Sequence, residues 1–322
     1  MLDETPVFLM SPPRKDWTIR GRSNRNSQDA DAPDPDEARQ EWTRLANAIV
    51  AAGGEVVVIP PNPKLNLTGL PYTAEAGEFF LRGPKHHFIL PRMSTTHRRD
   101  EAHWIGLFVE QHLDCVTERP RAIWEAQGDC IRILGGAGII HTFGSGKLGR
   151  TQAKAYQQVA WRLSPQHIQI HFHADPWFHG NTFLNVFRNA YPARLGEPGD
   201  RLRELMLVCP EALMPGELER LQRFAPSVDI VRISPEESRG YDTNSLQVGN
   251  TVLASDTLSP VAEEAFRILQ LDIIKLSFNE LFGKGGGAPV CLTNRLWGMH
   301  PSAVPEAYRW SSQPAIEAHT DL

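Results

Sequence analysis

Apolar positions recur along this chain in two periods, one helical and one extended, and the two alternate. Trp42, Leu45, Ala46, Ile49 and Val50 fall at helical spacing. Asp34 is a good N-cap ahead of them, Pro35 suits a first helical turn, and Gly53-Gly54 supply a stop. The spacing therefore predicts a helix opening at Asp34-Pro35. "EVVVIP" follows as a continuous apolar run, the signature of a strand buried on both faces, ended by Pro60. "EFFLR", a "GPK" turn and "HHFILP" then read as a hairpin.

The same order returns. His97 to His112 reads as a helix and "DCVTE" as its strand; "CIRIL" and "GIIHTFG" flank Gly135-Gly136 as a hairpin. Gly149 to Leu163 is a predicted helix before "HIQIHFH", and the strands "NTFLNVF" and "RELMLVCP" follow. A helix at Gly216 to Phe224 precedes "VDIVRIS", and "SLQVGNTVLAS" is a hairpin with a Gly-Asn turn. A helix at Pro260 to Leu269 precedes "DIIKLSF", and a last strand is expected to carry Cys291. Helix, strand and hairpin thus repeat about five times, at roughly 50–60 residues each, without sequence identity between copies. Short units at that period predict a closed radial α/β array whose two chain ends meet and whose copies each lend residues to a common centre. The expected organisation is one domain over residues 1–322, with residues 1–7 and 311–322 as loosely ordered tails and a polar loop from Arg20 to Pro33.

Composition narrows the partners. A formal charge of −5 gives no electrostatic case for nucleic acid or an anionic membrane. No apolar run approaches the length of a membrane span. The N-terminal stretch has no basic segment leading into a long apolar one, so no signal peptide is expected. Cys115, Cys130, Cys209 and Cys291 are scattered, with no Cys-x-x-Cys pair, which favours a reducing compartment over a disulfide framework or a zinc knuckle. The expectation is a soluble cytoplasmic protein.

Four short stretches carry candidate chemistry. In "GGGAPVCLTNRL", three glycines permit close approach to the single thiol of Cys291, which is either a nucleophile or a buried strand cysteine. "DPWFHGNTFLNV" places His179 just before a strand, as a general acid and base or as an inert loop histidine. "WEAQGDC" sets Glu125 and Asp129 around a Gln-Gly step, to line a cationic pocket or close a turn. "PYTAEAGEFF" sets Glu75 among small residues, facing a cavity or solvent. His167, His171 and His173 cluster in one strand, but no further ligand has metal-site spacing. "FGSGKLG" lacks the spacing and the hydroxyl residue of a phosphate loop.

Taken in order, "TAEAG…EAQGD…FHGNT…TNSL…GGGAPVCLT" resembles the guanidine-modifying, or pentein, superfamily, which includes arginine deiminases, arginine dihydrolases, dimethylarginine dimethylaminohydrolases and amidinotransferases. "MSPP", the Asn24 and Asn26 loop and Glu41-Trp42 resemble the dihydrolase branch. The resemblance runs from about Phe8 to Leu296 and implies a five-bladed α/β propeller without metal or cofactor. It implies Cys291 as the nucleophile, His179 as the acid and base, and Glu125 as an acid that binds substrate or orients the histidine. Asp129 closes the Glu125 motif as an anchor. Asn24 and Asn244 occupy positions of the family pattern, and Arg98 or Arg99 in "HRRDE" would meet a substrate carboxylate, or lie at a solvated helix start.

Two residues depart from that pattern. Asn181 stands where the family usually has an aspartate that grips the guanidinium, and Glu75 stands where the dihydrolase branch has asparagine. An amide cannot neutralise a cation, so either Glu75 restores the charge from another side or the substrate is less basic than arginine. The expected activity is hydrolysis of a C–N bond in a small guanidino or amidino compound through a thiouronium-type adduct. Transfer of the amidino group to an amine is the alternative, and a non-catalytic binding protein on the same scaffold is the rival; a homo-oligomer is compatible with any of them.

Overall fold

The computed structural model describes residues 5–22, 24–146, 148–189 and 203–315. Fifteen short strands run in chain order as β1 (Val7–Met10), β2 (Glu55–Val58), β3 (Glu78–Arg82), β4 (Lys85–Ile89), β5 (Cys115–Glu118), β6 (Cys130–Ile133), β7 (Gly138–Ser145) and β8 (Gln166–His173). They continue as β9 (Leu184–Arg188), β10 (Glu204–Val208), β11 (Asp229–Arg232), β12 (Leu246–Val248), β13 (Thr251–Ser255), β14 (Asp272–Leu276) and β15 (Asn294–Arg295). The helices are α1 (Arg25–Gln28), α2 (Pro35–Ala51), α3 (Glu101–His112), α4 (Ala153–Leu163), α5 (Glu217–Phe224), α6 (Pro235–Arg239) and α7 (Pro260–Ile268).

These strands form five three-stranded sheets of one plan: an antiparallel pair, then a helix, then a third strand parallel to the second. The fifth sheet is assembled from both ends of the chain. β1 pairs antiparallel with β15 (Phe8 opposite Arg295) and parallel with β2 (Phe8 opposite Val56). The chain ends therefore do meet, as the repeat predicted.

Side-chain alternation explains why five small sheets make a ring. Strand neighbours point to opposite faces. Phe8, Met10, Val56 and Val58 pack with Leu246, Val248 and Leu253 of the sheet on one side. Val7, Leu9, Val57 and Ile59 pack with Phe79, Phe88 and α3 of the sheet on the other. Further cores join β3–β5 to β6–β8 through Phe80, Ile89, Ile139 and α4, and join β6–β8, β9–β11 and β12–β14 through Ile140, Phe172, Phe187, Leu207 and Val252. Each sheet is thus wedged between two others, which is the reason "EVVVIP" has no polar face.

Several sequence expectations are corrected. Val7 is buried in β1 rather than lying in a tail, and Ser311 donates to Glu55 at 2.7 Å within the 3₁₀ segment Trp310–Ala315. Residues 1–4 and 316–322 lie outside the described residues, as does Lys147 of "FGSGKLG". The Arg20–Pro33 loop contains α1, because Asn24 and Ser27 form a reciprocal capping box. His97 sits in a separate 3₁₀ turn, so α3 begins only at Glu101. Cys291 lies in a turn before β15 and not in a strand, since Leu292 N–H closes back on the Ala288 carbonyl and Thr293 N–H on that of Val290.

One segment was not legible at all: Asn279–Lys284 forms a π-helical turn leading to Gly285–Gly287. Buried Glu41 of α2 holds it, accepting from the Glu280 N–H at 3.0 Å and the Leu281 N–H at 2.8 Å. Glu41→Ala strands those N–H groups without an acceptor. Stability should fall by about 3 kcal/mol, read as a lower midpoint in urea unfolding; an unchanged midpoint would show that solvent takes over both N–H groups.

Candidate active site

Every sheet contributes one polar turn, placed just ahead of its first hairpin strand. Thr73–Ala76 leads into β3, Ala126–Gly128 into β6, Gly180–Thr182 into β9, Asp242–Asn244 into β12, and the Cys291 turn into β15. Because the sheets stand in a ring, these turns converge on the axis and touch one another. This is how Glu75, Glu125, His179, Asn244 and Cys291, far apart in sequence, share one site.

A cleft of about 60 Å³ opens on this end of the axis. Cys291, Glu75, Arg98, Asn24 and Tyr72 line it, with exposed Arg20 also on its wall. The glycine approach has a steric reason. A Cβ on Gly285 or Gly287 would collide with the Tyr72 ring, and one on Gly286, at φ +84°, would collide with the Asn24 amide. Asn24 donates to the Gly285 carbonyl at 3.0 Å and Tyr241 to the Gly286 carbonyl at 2.8 Å, so the approach to the thiol is held from both sides.

Cys291 is 2 % exposed. Its Sγ accepts from Asn244 Nδ2 at 3.1 Å, its N–H donates to Asn244 Oδ1 at 3.0 Å, and its Sγ lies 3.9 Å from Asn181 Oδ1. Burial pushes the thiol up to about 11, against the Asn244 hydrogen bond and the Arg98 charge that favour thiolate.

Behind Glu75 sits His179, fully buried. Its Nε2 is 2.7 Å from Glu125 Oε2, and its Nδ1 is 3.2 Å from Glu75 Oε1 without a well-aligned hydrogen bond. A Cβ on Gly128 would press on the imidazole, so the Gln-Gly step is there to let the ring lie against the backbone. Burial opposes ionisation of Glu125, but Arg150 and His179 together outweigh it and hold its carboxyl well below the ordinary range. Ser94 completes its shell, donating from N–H and Oγ at 2.7 Å each. Ala126 directly after it has φ +50°, and Tyr241 ahead of Asn244 has φ +65°. Each such left-handed residue costs on the order of 1–3 kcal/mol, strain that the surrounding bonds sustain at these two turns.

The predicted residues separate into layers. Cys291, Glu75, Arg98 and Asn24 face the cleft; His179, Glu125, Asn181 and Asn244 pack behind them. Arg98 is buried at 7 % exposure, which overturns the solvated reading for it, while Arg99 is exposed. Its guanidinium is already engaged by Glu75, by Glu101 at 2.8 Å and by the Gly69 carbonyl at 2.9 Å. Asp129 is one layer deeper: it accepts from Gly180 N–H at 2.9 Å, Thr142 Oγ1 at 2.9 Å and Thr151 Oγ1 at 2.6 Å, tying the His179 turn to β7.

Sequence reasoning missed Arg150, Ser94 and Tyr72. Arg150 reaches Glu125 at 3.3 Å and lies over the Phe178 ring; its neighbours in "FGSGKLGRT" resemble a loop, and only the β6–β7 hairpin, folding back on itself, brings it to its partner. Tyr72, directly ahead of "TAEAG", was within reach of the motif itself. Among the described residues no group of three His, Cys, Asp or Glu side chains could hold a metal ion. No described helix is long and apolar enough to cross a membrane.

Two outcomes are expected from this geometry. Cys291 should rest as the thiol at pH 7, so its alkylation by iodoacetamide, followed on the Cys291 peptide by mass spectrometry, should accelerate about tenfold per unit from pH 8 to 10. A plateau below pH 9 would mean that the resting site already supports the thiolate. Asp129→Ala should cost about 3 kcal/mol in unfolding free energy, since three buried donors lose their acceptor, whereas a variant as stable as the parent would deny Asp129 its anchoring role.

No family profile matches the chain, and no curated protein sequence does. Solved structures do. The N-terminal domain of ArgZ, an arginine dihydrolase from the ornithine-ammonia cycle in Cyanobacteria, matches with a TM-score of 0.74 and 17 % identity over 90 % of this chain and 98 % of that one. Unliganded AgrE matches with a TM-score of 0.71 and 19 % identity, over 90 % of this chain and 39 % of that longer one. A dimethylarginine dimethylaminohydrolase adduct matches with a TM-score of 0.59 and 17 % identity over 91 % of this chain and 99 % of that one. The fold is the five-bladed α/β propeller of the penteins.

Proposed function

We propose that the protein is a cysteine-dependent hydrolase of a C–N bond in a small guanidino or amidino compound. The observation that carries this reading is Glu75, which lines the cleft with Cys291 and lies 3.2 Å from His179 of the Glu125–His179 pair, on the axis of a propeller shared with arginine-processing enzymes. A variant of the ArgZ domain is itself covalently bound to a reaction intermediate.

Carboxylates at the cleft suit a cationic substrate head: Glu75, Glu101 and Glu125 meet Arg98 and Arg150, and Glu75 Oε1 also faces the His179 ring at 3.2 Å. Glu75 lines the cleft, which fits it to receive that cation in place of the absent aspartate at Asn181. Arg20 and Asn24 on the cleft wall suit an anionic tail.

In this reading the amidinium lies beside Cys291, its charge favours loss of the thiol proton, and His179 takes up that proton. Sγ then bonds to the central carbon. The C–N bond to the leaving amine breaks as His179 donates a proton to that nitrogen, leaving an S-linked amidinium on Cys291. His179 next takes a proton from water, the hydroxide oxygen adds to the same carbon, and the C–S bond breaks to release a ureido or amide product. Glu125 keeps the imidazole aimed through both steps. An amine in place of water would give amidino transfer by the same path, and no feature of the cleft favours that acceptor over water.

The test is product analysis by mass spectrometry with arginine, methylated arginines, agmatine, guanidinoacetate and simple amidines, each with and without an amine. A ureido product or released ammonia or urea is expected, abolished in Cys291→Ser and lowered at least 100-fold in kcat by His179→Ala. Turnover only with an amine present makes the enzyme a transferase. No turnover on any compound, together with a Cys291 thiol that no amidine electrophile labels, would favour a binding protein instead.

A further inference from the structure

The axis has a second mouth. A cavity of about 350 Å³, within the range of small-molecule pockets, lies on the other side of the site and collects residues from the hairpin strands β6, β9, β12 and β15. Its charged groups are Arg132, Arg188, Arg295 and Glu204. Arg132 is ion-paired with Glu78 at 2.7 Å. Glu204 accepts from the Leu134 and Gly135 N–H groups at 2.7 Å each, and its charge partly offsets that of Arg188, leaving the arginines in excess. Among the described residues, the Arg188 and Arg295 guanidiniums have neither a hydrogen bond nor an ion pair. Arg295 stacks over Trp297 at 4.3 Å from the ring centroid, which fixes its plane but does not cancel its charge.

Unpaired, partly buried cations in one cavity are costly. Burial, with Arg188 and Arg132 close by, brings Arg295 down to about 9. At the floor, Asn181 adds a buried Nδ2 with no partner, while its Oδ1 faces the Cys291 sulfur from the other side. The cavity therefore offers donors and positive charge and almost no free acceptor.

We propose that this mouth binds a small anion, a carboxylate or a phosphate, between Arg188, Arg295 and Arg132. The guanidinium fork suits the paired oxygens of either group. The Trp297 and Phe8 rings give an organic anion an apolar wall. A cationic amidine is repelled here, so the two mouths select opposite charges. The inference stands on the cavity alone and does not require the hydrolase reading.

The test is calorimetric titration and thermal unfolding of the full chain with inorganic phosphate and with malonate, at ionic strength held constant with chloride. Saturable one-site binding and a raised melting temperature are expected, and the tighter of the two probes identifies the anion class. Arg188→Gln and Arg295→Gln should each weaken binding at least tenfold, while Cys291→Ser and Arg20→Gln leave it intact. Without anion, Arg188→Gln should melt no lower than the parent, since a like-charge repulsion is relieved. Should Arg295→Gln fail to fold, Arg188→Gln and the parent decide the matter. A non-saturating response shared by chloride, or binding lost in Arg20→Gln but kept in Arg188→Gln, overturns the proposal.

Discussion

The pairing of β1 between β15 and β2 is the constraint on which the rest depends. Four of the sheets are local in sequence; the fifth joins residue 8 to residue 295. Until that pair forms, the cores on either side of β1 have only one wall. Once it forms, every sheet is packed on both faces, and the turns ahead of the hairpins point at a common axis. The geometry of the candidate site is thus a consequence of ring closure. Cys291 sits three residues before β15, so the contact that closes the ring also sets the thiol.

Closing a ring around charged side chains has an electrostatic cost, and the structure meets it by pairing. Arg98 satisfies Glu75 and Glu101, Arg150 and Ser94 satisfy Glu125, and Asp129 is saturated by two hydroxyls and an amide. A buried ion pair contributes little net stability against an apolar equivalent, but loss of one partner is strongly destabilising. These residues therefore behave as a unit, in which the deep members hold the shape of the cleft and the shallow members, Glu75 and Arg98, line it.

The sequence foretold what depends on local pattern. The helix at Pro35, the hairpin turns at Gly83, Gly135 and Gly249, and the five-fold order were legible because period and punctuation encode them. Cys291, His179, Glu125 and Asp129 were legible through their motifs. The failures share one cause. β1 is four residues beside a proline, too short to show a period, and is a strand only because β2 and β15 flank it. The π-helical turn exists because Glu41, 239 positions away, accepts its N–H groups. Arg150 acquires meaning only from Glu125. In each case the deciding partner lies outside the local sequence window, by 25 residues for Arg150 and by far more for the π-helical turn.

Asn181 and Glu75, the two departures from the pentein pattern, make sense together. A carboxylate at position 181 would lie against the Cys291 sulfur, where the amide oxygen now stands at 3.9 Å, and would push an already raised thiol further from ionisation. The amide removes that repulsion. Glu75 returns a negative charge to the site at the cleft wall, against the imidazole of His179. In the proposed reaction, the exchange moves the anion from beneath Cys291 to beside His179, and with it the point at which a cation would be gripped. Below Asn181 the axis then turns positive, through Arg188 and Arg295. A neutral residue at this boundary lets the proposed cation-binding cleft and the arginine-lined cavity share one axis without a carboxylate at position 181 between them.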